Sequence, residues 1–95
     1  MHVISEKALR LFWEKHRDAE APLRSWLKAV EAADWKHFGD VRRTFNSADA
    51  VGKYTVFDIK GNRYRLIAAI HYNRGKVFIR HVFTHVDYDK WKGEG

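Results

Sequence analysis

Two arginines, two histidines, a tyrosine and an aspartate gather toward the C-terminal end of the chain: Arg65, Arg80, His81, His85, Tyr88 and Asp89. A guanidinium is a planar fork that holds phosphate oxygens bidentately, and two of them side by side repel unless an anion lies between. Imidazole and phenol supply groups that can move protons at an ester. The set therefore suits acid–base chemistry on a phosphodiester. A metal route fits less well. The chain has no cysteine, and on an extended strand His81 and His85 would stand roughly 13 Å apart, too far for one zinc ion. No Gly-rich phosphate loop, paired catalytic carboxylates or Ser-His-Asp set can be assembled, so neither a metal nor a cofactor is expected. His2, His16, His37 and His71 have no obvious partners and read as surface or packing residues.

The elements that must position these groups follow from periodicity. Past Gly52 the chain turns β-branched and aromatic, over Tyr54 to Ile59, Arg63 to Tyr72 and Lys76 to Phe83, with Lys60-Gly61-Asn62 and Asn73-Arg74-Gly75 between. That pattern predicts a three-strand antiparallel meander with two tight turns. Alternation in the middle strand puts Tyr64, Leu66, Ala68 and Ile70 on one face, and Arg63, Arg65, Ile67, Ala69 and His71 on the other. In the last strand it groups Val77, Ile79, His81 and Phe83, opposite Lys76, Phe78, Arg80 and Val82. With the apolar faces covered, Arg65 and Arg80 are expected side by side on the open face, where Asp58 is the one acid at hand. Thr84, with Asp87 three residues on, reads as the cap of a short last helix that places His85, Tyr88 and Asp89 on one side.

Upstream, Met1 to Ile4 is a candidate strand and Ser5 a candidate helix cap. Ala8, Leu9, Phe12 and Trp13 share one helical face, and Leu23, Trp26, Leu27 and Val30 share another after Asp18 and Pro22. The two helices suggest a hairpin packed on the sheet. From Trp35 to Gly52 the period weakens into a short helix or turn and then a loop. The expected fold class is α+β, two N-terminal helices on an antiparallel sheet with a short C-terminal helix.

At 95 residues, one domain spanning 1–95 is expected, with about 60 to 65% of the unfolded surface buried. With no cysteine, packing alone must hold it. No apolar run is long enough to span a bilayer and the first residues do not read as a secretory signal, so a soluble, cytoplasmic protein with no membrane partner is expected. Eighteen Lys and Arg against twelve Asp and Glu give a net charge of +6. Lys53, Lys60, Arg63, Arg65, Arg74, Lys76 and Arg80 face only Asp58 between residues 50 and 86, so the positive field belongs to the sheet and favours a polyanion.

Several stretches, in order, resemble the HigB family of bacterial toxins, a RelE-like branch of mRNA interferases. They are Asp18-Ala-Glu-Ala-Pro-Leu-Arg-Ser-Trp26, Ala33-Asp-Trp-Lys36, Ser47-Ala-Asp49, Val56-Phe-Asp-Ile-Lys-Gly-Asn-Arg-Tyr-Arg-Leu-Ile67 and Thr84-His-Val-Asp-Tyr-Asp-Lys90. The likeness runs from Met1 to about Trp91, and the pairing of Gly61-Asn-Arg-Tyr-Arg-Leu66 with Thr84-His-x-x-Tyr-Asp89 is more specific than either alone. It implies a RelE-like α+β domain with helices on one face of a twisted antiparallel sheet and a basic concave face left open. It also implies metal-independent cleavage of mRNA on the ribosome, by attack of a ribose 2′-OH on the adjacent phosphate. The implied partner is a cognate helix-turn-helix antitoxin, HigA-like. The matching site positions are Arg65, Arg80, His85 and Tyr88. Phe83 stands where a Gly is commoner, which narrows the approach of an RNA backbone, and Asn46 stands for a frequent Pro.

On this reading Arg65 and Arg80 stabilise the charged phosphorane, while His85 and Tyr88 handle the protons as base and acid in an order the sequence leaves open. Lys53, Arg63, Lys76, His81 and Lys90 are expected to contact RNA. Two rival readings use the same residues: a non-catalytic RNA or ribosome binder of this fold, and a regulatory subunit held by its antitoxin.

Overall fold

The chain begins with a short strand, β1 (His2–Ile4), and reverses into helix α1 (Lys7–Lys15) through Ser5, whose φ is 75°. A helix cap needs extended backbone, so Ser5 does not cap α1 as expected; Glu6 precedes the helix and makes no side-chain cap. Leu9 and Trp13 of α1 are buried, and Ala8 and Phe12 pack beside them. A 3₁₀ turn, Arg17–Ala19, leads into α2 (Glu20–Ala32). Pro22 lies in the first turn of α2, where its missing N–H has no intrahelical partner to lose, and Leu23, Trp26 and Val30 are buried. A third helix, α3 (Phe38–Thr44), fills part of the segment with weak periodicity, with Val41 buried. The structure is a computed structural model describing residues 1–94, with side chains through 92.

The meander appears where expected, as β3 (Tyr54–Ile59), β4 (Tyr64–His71) and β5 (Lys76–Thr84). Two further strands complete a mixed sheet ordered β1-β5-β4-β3-β2, with β2 (Asp49–Val51) antiparallel to β3 at one edge. At the other edge β1 runs parallel to β5, pairing Val3 with Val77. The expected sheet was wholly antiparallel. Parallel strands need a long crossover, and here α1, α2, α3 and the rest of the sheet lie between the two in the chain.

Registry between β4 and β5 shifts at one point: Ile67 pairs with His81, but Ala68 pairs with Ile79. Arg80 is the extra residue of a β-bulge, and beyond it the side-chain alternation is inverted. His81 and Phe83 therefore leave the face of Val77 and Ile79, on which simple alternation had placed them. Val82 packs into the helix-side core instead, while Phe83 joins Val56, Ile67 and Tyr88 on the other side.

Helices α1 to α3 cover one face of the sheet. Its central side chain is Phe57, only 1% exposed, with Trp26 and Phe45 each 5.3 Å away between ring centres and Trp35 at 6.2 Å. The opposite face is not left wholly open. Helix α4 (His85–Glu94) folds back over it, burying Tyr88 on Val56 and Ile67 with Trp91 beside them. Thr84 starts the helix as expected, its Oγ1 accepting the Asp87 N–H at 3.2 Å. Among the described residues no helix is long and apolar enough to cross a membrane.

Candidate nuclease site

Arg65 projects from β4 beneath the start of α4 and is largely enclosed, with 13% of its side chain exposed. Its Nε lies 3.2 Å from Asp58 Oδ1 on the paired strand β3. One terminal nitrogen donates to the Asn62 carbonyl and to that of Tyr64 at 3.3 Å. The guanidinium carbon is 5.5 Å from the centre of the Tyr88 ring. These contacts leave the second terminal nitrogen without a hydrogen bond among the described residues, so part of the fork is free for an anion.

His85 opens α4 one turn before Tyr88. Its backbone N–H donates to the Arg63 carbonyl at 3.1 Å. Its imidazole is exposed, with Nε2 3.4 Å from Asp89 Oδ2, one helical turn on. The charged partner of the His85 imidazole is thus the carboxylate of Asp89.

Arg80 stands apart from this group. Arg65 pairs with Phe83, three positions along β5 from Arg80, which corresponds to roughly 10 Å. The expected side-by-side arginines are therefore separated: strand registry sets Arg65 opposite Phe83 and not Arg80, and Asp58 partly neutralises Arg65. Arg80 instead lines a groove of about 700 Å³ with Lys53, Tyr54, Ala69, Ile70 and His71. Its guanidinium lies 5.4 Å from the centre of the Phe78 ring, and Lys53 Nζ lies 5.4 Å from that of Tyr54. Lys76 borders this end of the sheet, paired with His71 across the strands.

His81 and Phe83, which follow Arg80 on β5, are stacked at 4.9 Å, with Trp91 of α4 6.0 Å from each. Lys90 is exposed on α4. Arg63 lies on the turn between β3 and β4, 3.4 Å from Asp18. Its charge is shared with an acid of the helical layer.

Residues 19–91 match the family described as HigB_toxin, the RelE-like toxic component of a toxin–antitoxin system. The chain belongs to the HigB toxin family. It is 30% identical over 92 residues to the mRNA interferase toxin HigB of Escherichia coli strain K12, covering 94% of this chain and 88% of that protein. The mRNA interferase HigB of Escherichia coli O6:H1 is 28% identical over 93 residues, covering 95% and 90% respectively. That of Shigella flexneri is 30% identical over 92 residues, covering 94% and 88%. A HigB-family toxin has an antitoxin for a partner, as the family's description states.

In this HigB-family chain, Asp58, the one acid the sequence offered to the arginines, is the partner of Arg65 by strand registry, and two groups that the fold brings to the Arg80 groove had no role in the sequence reading. Tyr54 and His71 both line the Arg80 groove. Their parity with Val56 and Ile67 along their strands was the available signal, and His71 was read as a surface or packing residue.

A second ionic cluster holds the turn of the site from behind. Asp18 accepts hydrogen bonds from the Tyr64 hydroxyl and, at 3.1 Å, from Lys60 Nζ. These bonds, the Tyr64 one foremost, hold the Asp18 carboxyl below its usual range, and the same bond raises the Tyr64 phenol. A carboxyl lowered on folding stabilises the protein above its unfolded pKa, and the contribution is lost as pH falls through the folded value. Asp18→Asn should therefore unfold at lower denaturant than wild type at neutral pH, with the difference closing as pH falls below the usual carboxylate range. A difference that stays constant with pH would contradict this.

Proposed function

We propose that the chain is an endoribonuclease that cuts messenger RNA on the ribosome, working in the cytoplasm and restrained by a HigA-like helix-turn-helix antitoxin. The observation that carries this reading is the enclosed Arg65 fork at the foot of the helix bearing His85 and Tyr88, on a sheet that also carries the basic groove of Lys53 and Arg80. The names of the relatives, mRNA interferases, support the same substrate class.

In the proposed reaction the ribose 2′-oxygen attacks the adjacent phosphorus and the bond from phosphorus to the 5′-oxygen breaks. The 2′-OH proton passes to a base and the departing 5′-oxygen receives a proton, leaving a 2′,3′-cyclic phosphate and a 5′-hydroxyl. The free part of the Arg65 guanidinium holds the equatorial oxygens, whose charge rises in the transition state. The exposed imidazole of His85 moves a proton, with Asp89 orienting it. Tyr88 gives its ring face to Arg65 and is the second proton-handling group. Arg80, in its separate groove, holds a neighbouring part of the strand while charge develops at Arg65.

Lys53, Lys76, His81 and Lys90 extend the contact with the RNA backbone; Arg63, shared with Asp18, contributes least. Binding of a message fragment to a non-cutting His85→Ala variant tests the groove. Log affinity should fall linearly with log salt, and Lys53→Ala with Arg80→Ala should make that slope shallower by about 0.7 for each phosphate no longer neutralised. An unchanged slope would remove the groove from the RNA path.

A further inference from the structure

The turn between β3 and β4, residues 60–63, is gripped from the helical side of the sheet and itself supports the groups on the other side. Lys60 and Gly61 both have positive φ, 54° and 65°, a conformation that lysine adopts rarely. Asp18, in the 3₁₀ turn between α1 and α2, holds this turn at two points, Lys60 Nζ at 3.1 Å and Arg63 at 3.4 Å, and the first residue of β4 at a third, the Tyr64 hydroxyl. Two carbonyls of the same turn face the site. That of Asn62 accepts from Arg65, and that of Arg63 accepts the His85 N–H.

We infer that Asp18 is a positioning residue for the nuclease site, fixing through the 60–63 turn the two carbonyls that hold the Arg65 fork and the start of the His85 helix. The inference rests on the proposed roles of Arg65 and His85. Asp18 forms its hydrogen bonds and ion pairs with Lys60, Arg63 and Tyr64, so its influence on Arg65 and His85 runs through the turn. Its removal leaves Lys60 and Arg63 as neighbouring unneutralised cations, which repel and release a turn already in an unfavourable conformation. Displacement of a reacting group by about 1 Å can cost 10²-fold in rate.

The test compares Asp18→Ala with Asp34→Ala, which removes the same charge from an exposed acid paired with Lys36 away from the site. Two readouts are taken on folded protein: hydrogen exchange at the His85 amide, followed by NMR, and the separate kcat and KM of RNA cleavage. In Asp18→Ala, exchange at His85 should rise about 10-fold or more while Leu66 in mid-strand stays protected. Its kcat should fall by about 10- to 10²-fold with KM unchanged or lower, because the variant is more cationic. Asp34→Ala should change neither readout. If Asp18→Ala does not fold, Asp18→Asn keeps an acceptor for the Tyr64 hydroxyl while losing both ion pairs, and should show the same changes in smaller degree. Unchanged His85 exchange, or a loss of activity that only tracks the unfolded fraction, would overturn the inference. A wild type that cuts no RNA, with His85 exchange still faster in Asp18→Ala, would remove the nuclease role and leave the positioning role standing.

Discussion

Arg65→Ala should lower RNA cleavage by about 10²- to 10³-fold, and His85→Ala by about 10²- to 10⁴-fold, with the fold of each variant intact. The Arg65 effect is expected to be large because the guanidinium is fixed in advance by Asp58 and two backbone carbonyls, so little reorganisation remains when charge develops on the phosphate. Arg65→Lys should recover only a small part of the rate. A lysine ammonium can meet Asp58 or the phosphate but cannot reproduce a planar fork that meets both. His85 is exposed and lies on the first turn of α4, so its truncation should act on rate with little effect on stability. Single-turnover cleavage of a bound message fragment separates this loss of chemistry from a loss of binding. Near-normal rates in either alanine variant would assign the chemistry to other residues.

Phe57→Ala should destabilise the protein by about 3 to 5 kcal/mol. Phe57 is fully buried at the meeting point of Trp26, Trp35 and Phe45, and rigid aromatic neighbours collapse poorly into the space a lost ring leaves. For a domain of this size the loss corresponds to a fall in Tm of more than about 12 °C. The same strand carries Asp58, whose carboxylate holds Arg65, so melting β3 also dismantles the site on the opposite face. Leu11, 53% exposed on α1, gives the contrast: Leu11→Ala should change stability by no more than about 0.5 kcal/mol. Thermal melts of the two variants check both values, and a Phe57→Ala protein as stable as wild type would show that the aromatic cluster is not the centre of the core.

Much of this arrangement was legible in the residues. The β-branched runs and glycine turns marked the meander, the Leu and Trp spacing marked α1 and α2, and Thr84 with Asp87 marked the start of α4. Of the two edge strands, His2–Ile4 was legible as a strand but not its parallel pairing with β5, and Asp49–Val51 was not legible, because it is too short to display a period and owes its conformation to pairing with β3. The bulge at Arg80 was hidden for a different reason. It carries no glycine, and only comparison of two strands in register exposes the extra residue. Strict alternation then sends His81 and Phe83 to the wrong face, and it carries no register to show that Arg65 lies opposite Phe83 and not Arg80. The resemblance to the HigB family correctly pointed to a toxin, but it did not contain the separation of the two arginines or the clamp on Arg65.

Sequencing of RNA ends on ribosome-associated messages bears most directly on the central claim, that this face cuts messenger RNA. Cells induced for the wild-type chain are compared with cells making a folded Arg65→Ala, His85→Ala variant at the same level. New ends inside messages, bearing a 2′,3′-cyclic phosphate on one side and a 5′-hydroxyl on the other, should appear with growth arrest in the wild type alone. Equal arrest in both, without new ends, would contradict the account and make the basic face a docking surface.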